Sequence, residues 1–116
     1  MPTPSLSKSI IESEIGNDYT LDCRIERNKW AHPLIFQWYR SIDNYSIPIV
    51  SQFDDYPVHI DDIYQNKYDF FSNGSLKIRK TQLNDNDTYE CRLIRIDRGF
   101  LDIKERYFLT FRVNGL

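Results

Sequence analysis

A chain of 116 residues has room for one domain, and 41% hydrophobic with 28% charged residues is the balance of a folded globule, which excludes a disordered tail. Fifteen Lys and Arg lie scattered among 17 Asp and Glu for a net charge of −2, with no basic run longer than Arg79-Lys80; this argues against nucleic acid or an anionic membrane surface as partner. Eight Tyr and seven Phe favour strands, where aromatic side chains pack well on a pleated surface.

Residues 1–8 are polar, carry Pro2 and Pro4, and are expected to form a flexible lead-in to a single domain over residues 9–114. Ile10, Ile11 and Ile15 mark an edge strand over Ser9 to Ile15, ended by the turn Gly16-Asn17-Asp18. Tyr19 to Ile25 alternates with period two, which places Tyr19, Leu21, Cys23 and Ile25 on one face. A turn-rich stretch from Asn28 to Pro33 holds Trp30 and His32. In the next strand, Leu34 to Arg40, Leu34, Phe36 and Trp38 point inward while Ile35, Gln37 and Tyr39 point outward.

Asp43-Asn44-Tyr45 turns the chain into Ile47 to Gln52, where Pro48 argues for an edge or an irregular start. Lys67 to Phe71 and Ser75 to Arg79 read as a hairpin closed by Asn73-Gly74. Leu83 is expected at the bottom of the core. From Thr88 to Ile96, Tyr89, Cys91 and Leu93 face inward and Glu90, Arg92 and Ile94 outward. Asp97-Arg98-Gly99 begins a hairpin with Phe100 and Leu101 near its tip, and Arg106 to Val113 supplies the last strand.

The order Cys23, Trp38, then Asp85-x-x-x-Tyr89-x-Cys91 resembles an immunoglobulin domain. Long spacing between Trp38 and Lys67 leaves room for two additional strands, so the likeness is to the variable type: an all-β immunoglobulin-like sandwich of two antiparallel sheets with Greek-key topology. Two cysteines alone are compatible with free thiols; the resemblance implies a bridge between Cys23 and Cys91 packed against Trp38, with Tyr89 as the tyrosine corner. It also implies an ion pair from Asp85 to Lys67, where the family usually has arginine, and lysine binds as a point charge without a fork. The segment from Lys67 to Cys91 is similar to butyrophilin-like and costimulatory ligands, junctional adhesion molecules and myelin-type adhesion proteins. The last strand lacks the Gly-x-Gly bulge of rearranging antigen receptors.

The resemblance implies an extracellular recognition or adhesion domain of a cell-surface protein; with no apolar stretch of signal-peptide or membrane-span length and Met1 followed by Pro2, the segment is expected to be an excised ectodomain behind an added initiator Met. It would bind a protein partner, or itself as a homodimer, through the outer face of the sheet formed by the strands over Leu34 to Arg40, Ile47 to Gln52, Thr88 to Ile96 and Arg106 to Val113; any membrane attachment would lie outside this segment. Candidate contact residues are Ile35, Gln37, Tyr39, Ile49, Arg92, Ile94, Phe100 and Leu101. Asn44, Asn73 and Asn86 begin Asn-x-Ser/Thr sequons and are candidate glycan acceptors. The alternative is a soluble pattern-recognition domain that binds carbohydrate or a small ligand through loops holding Trp30, Tyr45 and Phe100. No enzyme, metal or cofactor is expected: glycine-rich loops, Gly-x-Ser-x-Gly and His-Glu-x-x-His motifs are all missing from the sequence. His32 and His59 are read as surface residues, and Asp54-Asp55 and Asp61-Asp62 as solvated loop carboxylates.

Overall fold

The computed structural model describes residues 9–26 and 29–115. The expected lead-in over residues 1–8 lies outside the described residues, as does Asn28. Among the described residues nine strands are formed: β1 (Ser9–Glu14), β2 (Tyr19–Leu21), β3 (Leu34–Ile42), β4 (Tyr45–Phe53), β5 (His59–Ile60), β6 (Tyr68–Phe70), β7 (Leu76–Ile78), β8 (Asp87–Asp97) and β9 (Phe100–Asn114). They make a six-stranded sheet in the order β1-β9-β8-β3-β4-β5 and a three-stranded sheet in the order β2-β7-β6. Every ladder is antiparallel except β1 on β9. β4 and β5 occupy the long interval after β3, so the variable-type sandwich expected from that spacing is the one formed.

Alternation along the strands fills the space between the sheets. Leu34, Phe36 and Trp38 from β3, Tyr89, Cys91 and Leu93 from β8, and Leu109, Phe111 and Val113 from β9 meet Leu21, Tyr68, Leu76 and Ile78 from the opposite sheet. Cys23 and Cys91 are bridged, with their Cα atoms 6.2 Å apart. Trp38 lies opposite Cys91 in the β3–β8 register, so its indole is carried to the bridge. Its Nε1 donates to the carbonyl of Gly74 at 2.8 Å. Gly74 has φ +92, and a Cβ there would sit 3.3 Å from Phe36 Cζ, so both backbone and packing require glycine at this turn.

Strand β2 stops at Leu21, well short of the expected Ile25. Its partner β7 begins opposite Leu21 at Leu76, directly after the Asn73-Gly74 turn, and offers no backbone further on. Cys23 and Ile25 still pack against the core without a ladder. Leu83, expected in the core, is exposed. A 3₁₀ turn over Leu83–Asp85 buries Asp85 in its place, and that carboxylate accepts the Gln82 backbone N–H at 2.7 Å.

Asp85 anchors the base of the sandwich. Lys67 Nζ lies 2.7 Å from its Oδ2, and the Arg40 guanidinium approaches the other oxygen at 3.8 Å. The Tyr89 hydroxyl donates to the Asp85 carbonyl at 3.2 Å. Burial pushes the Tyr89 hydroxyl far above its ordinary value, so it stays a protonated donor. Arg40 also donates to Asp87 through Nε at 3.1 Å and to the Tyr68 hydroxyl at 3.3 Å.

Candidate functional site

The outer face of the six-stranded sheet is built in cross-strand rows, because residues directly opposite in a ladder share a face. At the end nearest the β8–β9 turn, Ile103 pairs with Ile94, Ile94 with Ile35, and Ile35 with Phe53. This apolar row crosses four strands, about 14 Å at ~4.8 Å per strand. Leu101, paired with Ile96, adds a further step toward the tip. Phe53 stacks on Tyr56, with ring centroids 5.6 Å apart. Ile103 is 45% exposed, Leu101 67% and Phe100 76%.

The next row is polar: Ser51, Gln37, Arg92 and Arg106. Gln37 donates from Nε2 to the Ser51 hydroxyl at 3.1 Å and accepts the Tyr39 hydroxyl through Oε1. The Arg92 guanidinium lies over the Tyr39 ring at 4.1 Å from its centroid, and that of Arg106 over Phe108 at 4.8 Å. Beneath them the Glu90 carboxylate is buried, taking Nε–H donors from Arg92 at 2.5 Å and Arg106 at 2.6 Å. Two guanidiniums on one carboxylate leave a net positive charge in the middle of the face.

Two of the candidate contact residues are not available on the face as expected. Ile49 is in the core beside Val50. Pro48 has no N–H for the ladder, and the β3–β4 register slips from Trp38–Val50 to Tyr39–Pro48, leaving Ile49 as the extra residue of a bulge that turns it inward. Ile94 does face outward but is only 6% exposed, because Ile35 and Ile103 flank it on the neighbouring strands. Phe100 and Leu101 are not loop residues: they open β9 directly after a two-residue turn, with φ 50 at Arg98 and 82 at Gly99.

Loop aromatics do not converge on one place. Trp30 is half-buried, donating its indole N–H to Glu105 at 2.7 Å beneath the Lys29 and Lys104 ammonium groups. Tyr45 pairs with Ile42 at the opposite end of β3. A cleft of about 620 Å³ opens at the mouth of the sandwich, lined by Ile25, His32, Leu34, Phe36, Asp54 and Leu93 among others, with Trp30 outside its lining. His32 Nδ1 lies 2.6 Å from Asp54 Oδ1, which also accepts the Leu34 N–H at 2.7 Å. These hydrogen bonds hold the Asp54 carboxyl below the usual carboxylate range. Among the described residues no group of three or more His, Cys, Asp or Glu could hold a metal ion, and no helix is long and apolar enough to cross a membrane.

The immunoglobulin V-set family model matches residues 7–110. The chain is an immunoglobulin V-set domain. Protein turtle homolog B of rat, mouse and human is 26% identical over 68 residues, which is 59% of this V-set domain and 5% of the length of those relatives. Murine CRIg superposes with a TM-score of 0.70 at 18% identity, covering 91% of this chain and 92% of that one. The extracellular domain of the voltage-gated sodium channel beta4 subunit, described as forming parallel homodimers that explain its role in cell-cell adhesion, gives 0.71 at 16% identity, covering 100% and 99%. At such identities these structures share the fold alone.

Sequence reading passed over Phe53, Ile103 and Arg106 on the face of this V-set domain, and Arg40 at its base. Leu101-Asp102-Ile103 carries a visible period-two signal, and beginning the last strand at Phe100 brings Ile103 onto the face. Arg106 carried no comparable signal, because its role depends on a carboxylate from another strand.

Glu90 gives the V-set domain an acid-sensitive point. Burial works to raise the carboxyl, but the hydrogen bonds and charges of Arg106 and Arg92 outweigh it and hold the group below its ordinary 4.5. A depressed folded value means that the contribution is complete above the unfolded value and is lost as pH falls through the folded one. Glu90→Gln therefore costs about 2 kcal/mol at pH 7 and flattens the loss of stability below about pH 4.5. Urea titrations of both proteins from pH 7 to pH 3 check this; parallel curves refute it.

Proposed function

We propose that this V-set domain is an extracellular recognition module of a cell-surface protein, binding a protein partner or a second copy of itself through the face formed by β4, β3, β8 and β9. The observation that carries this reading is the apolar row Ile103–Ile94–Ile35–Phe53, continued by Leu101 and bordered by the Arg92–Glu90–Arg106 cluster. An apolar centre with a charged, hydrogen-bonded border is the composition of a protein interface. Ile35, Ile103, Phe53 and Leu101 supply the area, and Ile94 stiffens the row from below. Gln37 and Tyr39 spend one hydrogen bond on each other, yet Gln37 keeps a second amide proton for a partner. Likeness to a sodium channel subunit with homodimers in cell-cell adhesion supports the self-association branch. The work assigned to this surface is binding, not catalysis.

Ile103→Arg tests the face, since it puts a charge at the exposed β9 end of the row, beside Ile94, without touching the core. Sedimentation equilibrium is expected to show at least a ten-fold weaker association constant, about 1.4 kcal/mol. An unchanged constant moves the interface elsewhere.

The cleft beside His32 and Asp54 favours a second reading, recognition of a carbohydrate or small ligand at the mouth of the sandwich. Binding on a glycan array that survives Ile103→Arg and disappears with His32→Ala is the pattern this reading requires.

A further inference from the structure

We propose that Asn44 is the N-glycan acceptor of this domain, and that Asn73 and Asn86 serve the fold instead; this rests on the extracellular reading above. Transfer of a glycan needs the asparagine amide and the hydroxyl two residues on to be held together in an accessible segment, and the finished glycan must leave the fold intact. The three sequons differ on both counts.

Asn86 is bonded at both ends of its carboxamide. Nδ2 donates to the Leu83 carbonyl at 2.7 Å, and Oδ1 accepts the Val113 N–H at 2.6 Å, so the side chain ties the turn before β8 to the last strand. Asn73 closes its own turn by accepting the Ser75 N–H at 3.0 Å. The sequon hydroxyl of Ser75 is buried and donates to Asp22 at 3.2 Å. Gly74 between them is pressed against Phe36 and accepts the Trp38 indole. Asn73 and Asn86 are themselves exposed, but drawing the Asn86 sequon out to an enzyme breaks the turn-to-strand tie, and drawing out the Asn73 sequon also pulls buried Gly74 and Ser75 from the core.

Asn44 stands at the tip of the β3–β4 hairpin with φ 69, beside Asp43 with φ 50, in a two-residue turn. Among the described residues nothing hydrogen-bonds the side chain of Asn44 or of Ser46, and both are exposed. A second observation points to a sugar. The cross-strand pair Ile42 and Tyr45, which flanks the turn, is exposed, with Tyr45 72% accessible. The apolar C–H face of a pyranose fits such an uncovered ring. The position also suits the binding face: Ile42 and Ile35 are about 23 Å apart along β3 at ~3.3 Å per residue, so a glycan on Asn44 leaves the apolar row clear.

The test is the intact protein, secreted from mammalian cells behind a heterologous signal peptide, with glycopeptide mapping before and after peptide N-glycosidase F. A glycan on Asn44, with Asn73 and Asn86 unmodified, is the expected map. Ser46→Ala, which keeps Asn44 and its left-handed backbone, is expected to abolish the mass shift on deglycosylation. Secreted, disulfide-bonded protein that is bare at Asn44, or occupied chiefly at Asn73 or Asn86, overturns the assignment. Because the supplied signal peptide forces passage through the secretory pathway, failure here is separable from failure of the face, which the Ile103→Arg sedimentation measurement reads independently of any glycan.

Discussion

Asp85→Asn lowers the unfolding free energy by about 3 kcal/mol, the usual result of removing one partner from a buried ion pair. Asp85 is 1% exposed, and a neutral amide of the same shape leaves the Lys67 ammonium at the base of the sandwich without its counter-charge, while Arg40 keeps only Asp87. It also removes the charge that strengthens the bond from the Gln82 N–H. Lys67→Arg is the informative companion. A guanidinium can engage both carboxylate oxygens, and Arg40 already approaches the second one, so the replacement is expected to change stability by less than about 1 kcal/mol. Urea denaturation followed by tryptophan fluorescence measures both variants. If Asp85→Asn loses under about 1 kcal/mol, the pair contributes little and the base is held by packing.

The double substitution Cys23→Ala, Cys91→Ala is expected to cost about 4 kcal/mol, because the bridge closes a loop spanning 68 residues and removes that much freedom from the unfolded chain. The loss bears hardest on the three-stranded sheet. Its strands are three residues each, and the chain after Leu21 has no ladder partner, so the sulfur bridge is what fixes Cys23 against the facing sheet. Denaturant titration of the double variant, beside alkylation of the unreduced parent, checks both halves. A loss below about 1 kcal/mol, or a parent with two alkylatable thiols, removes the tie from the account of stability.

The candidate face was only partly legible in the sequence. Period-two alternation placed Ile35, Gln37, Tyr39 and Arg92 outward correctly, since an undisturbed ladder preserves it. Ile49, expected on the face, is turned into the core by a bulge that adds one residue to the strand beside Pro48. The exposure of Ile94 was misjudged for a different reason: facing outward is a property of one strand, and being covered depends on which residues two other strands bring alongside. The loop aromatics fail as a group because Trp30 and Tyr45 flank β3 and so lie at its opposite ends, a separation that follows from their order around one strand.

By itself the sequence determined the sandwich: the cysteine, tryptophan and tyrosine framework, the period-two alternation around Cys23, Trp38 and Cys91 and the room for two more strands after Trp38 all act locally or through one covalent link. Only the tertiary structure decided which surface is available for binding. The apolar row, the double clamp on Glu90, the sharing of Asp85 between Lys67 and Arg40 and the freedom of Asn44 each depend on register and bulges. Those are set by where strands meet across the sheet, a relation between distant residues that no single stretch of chain encodes.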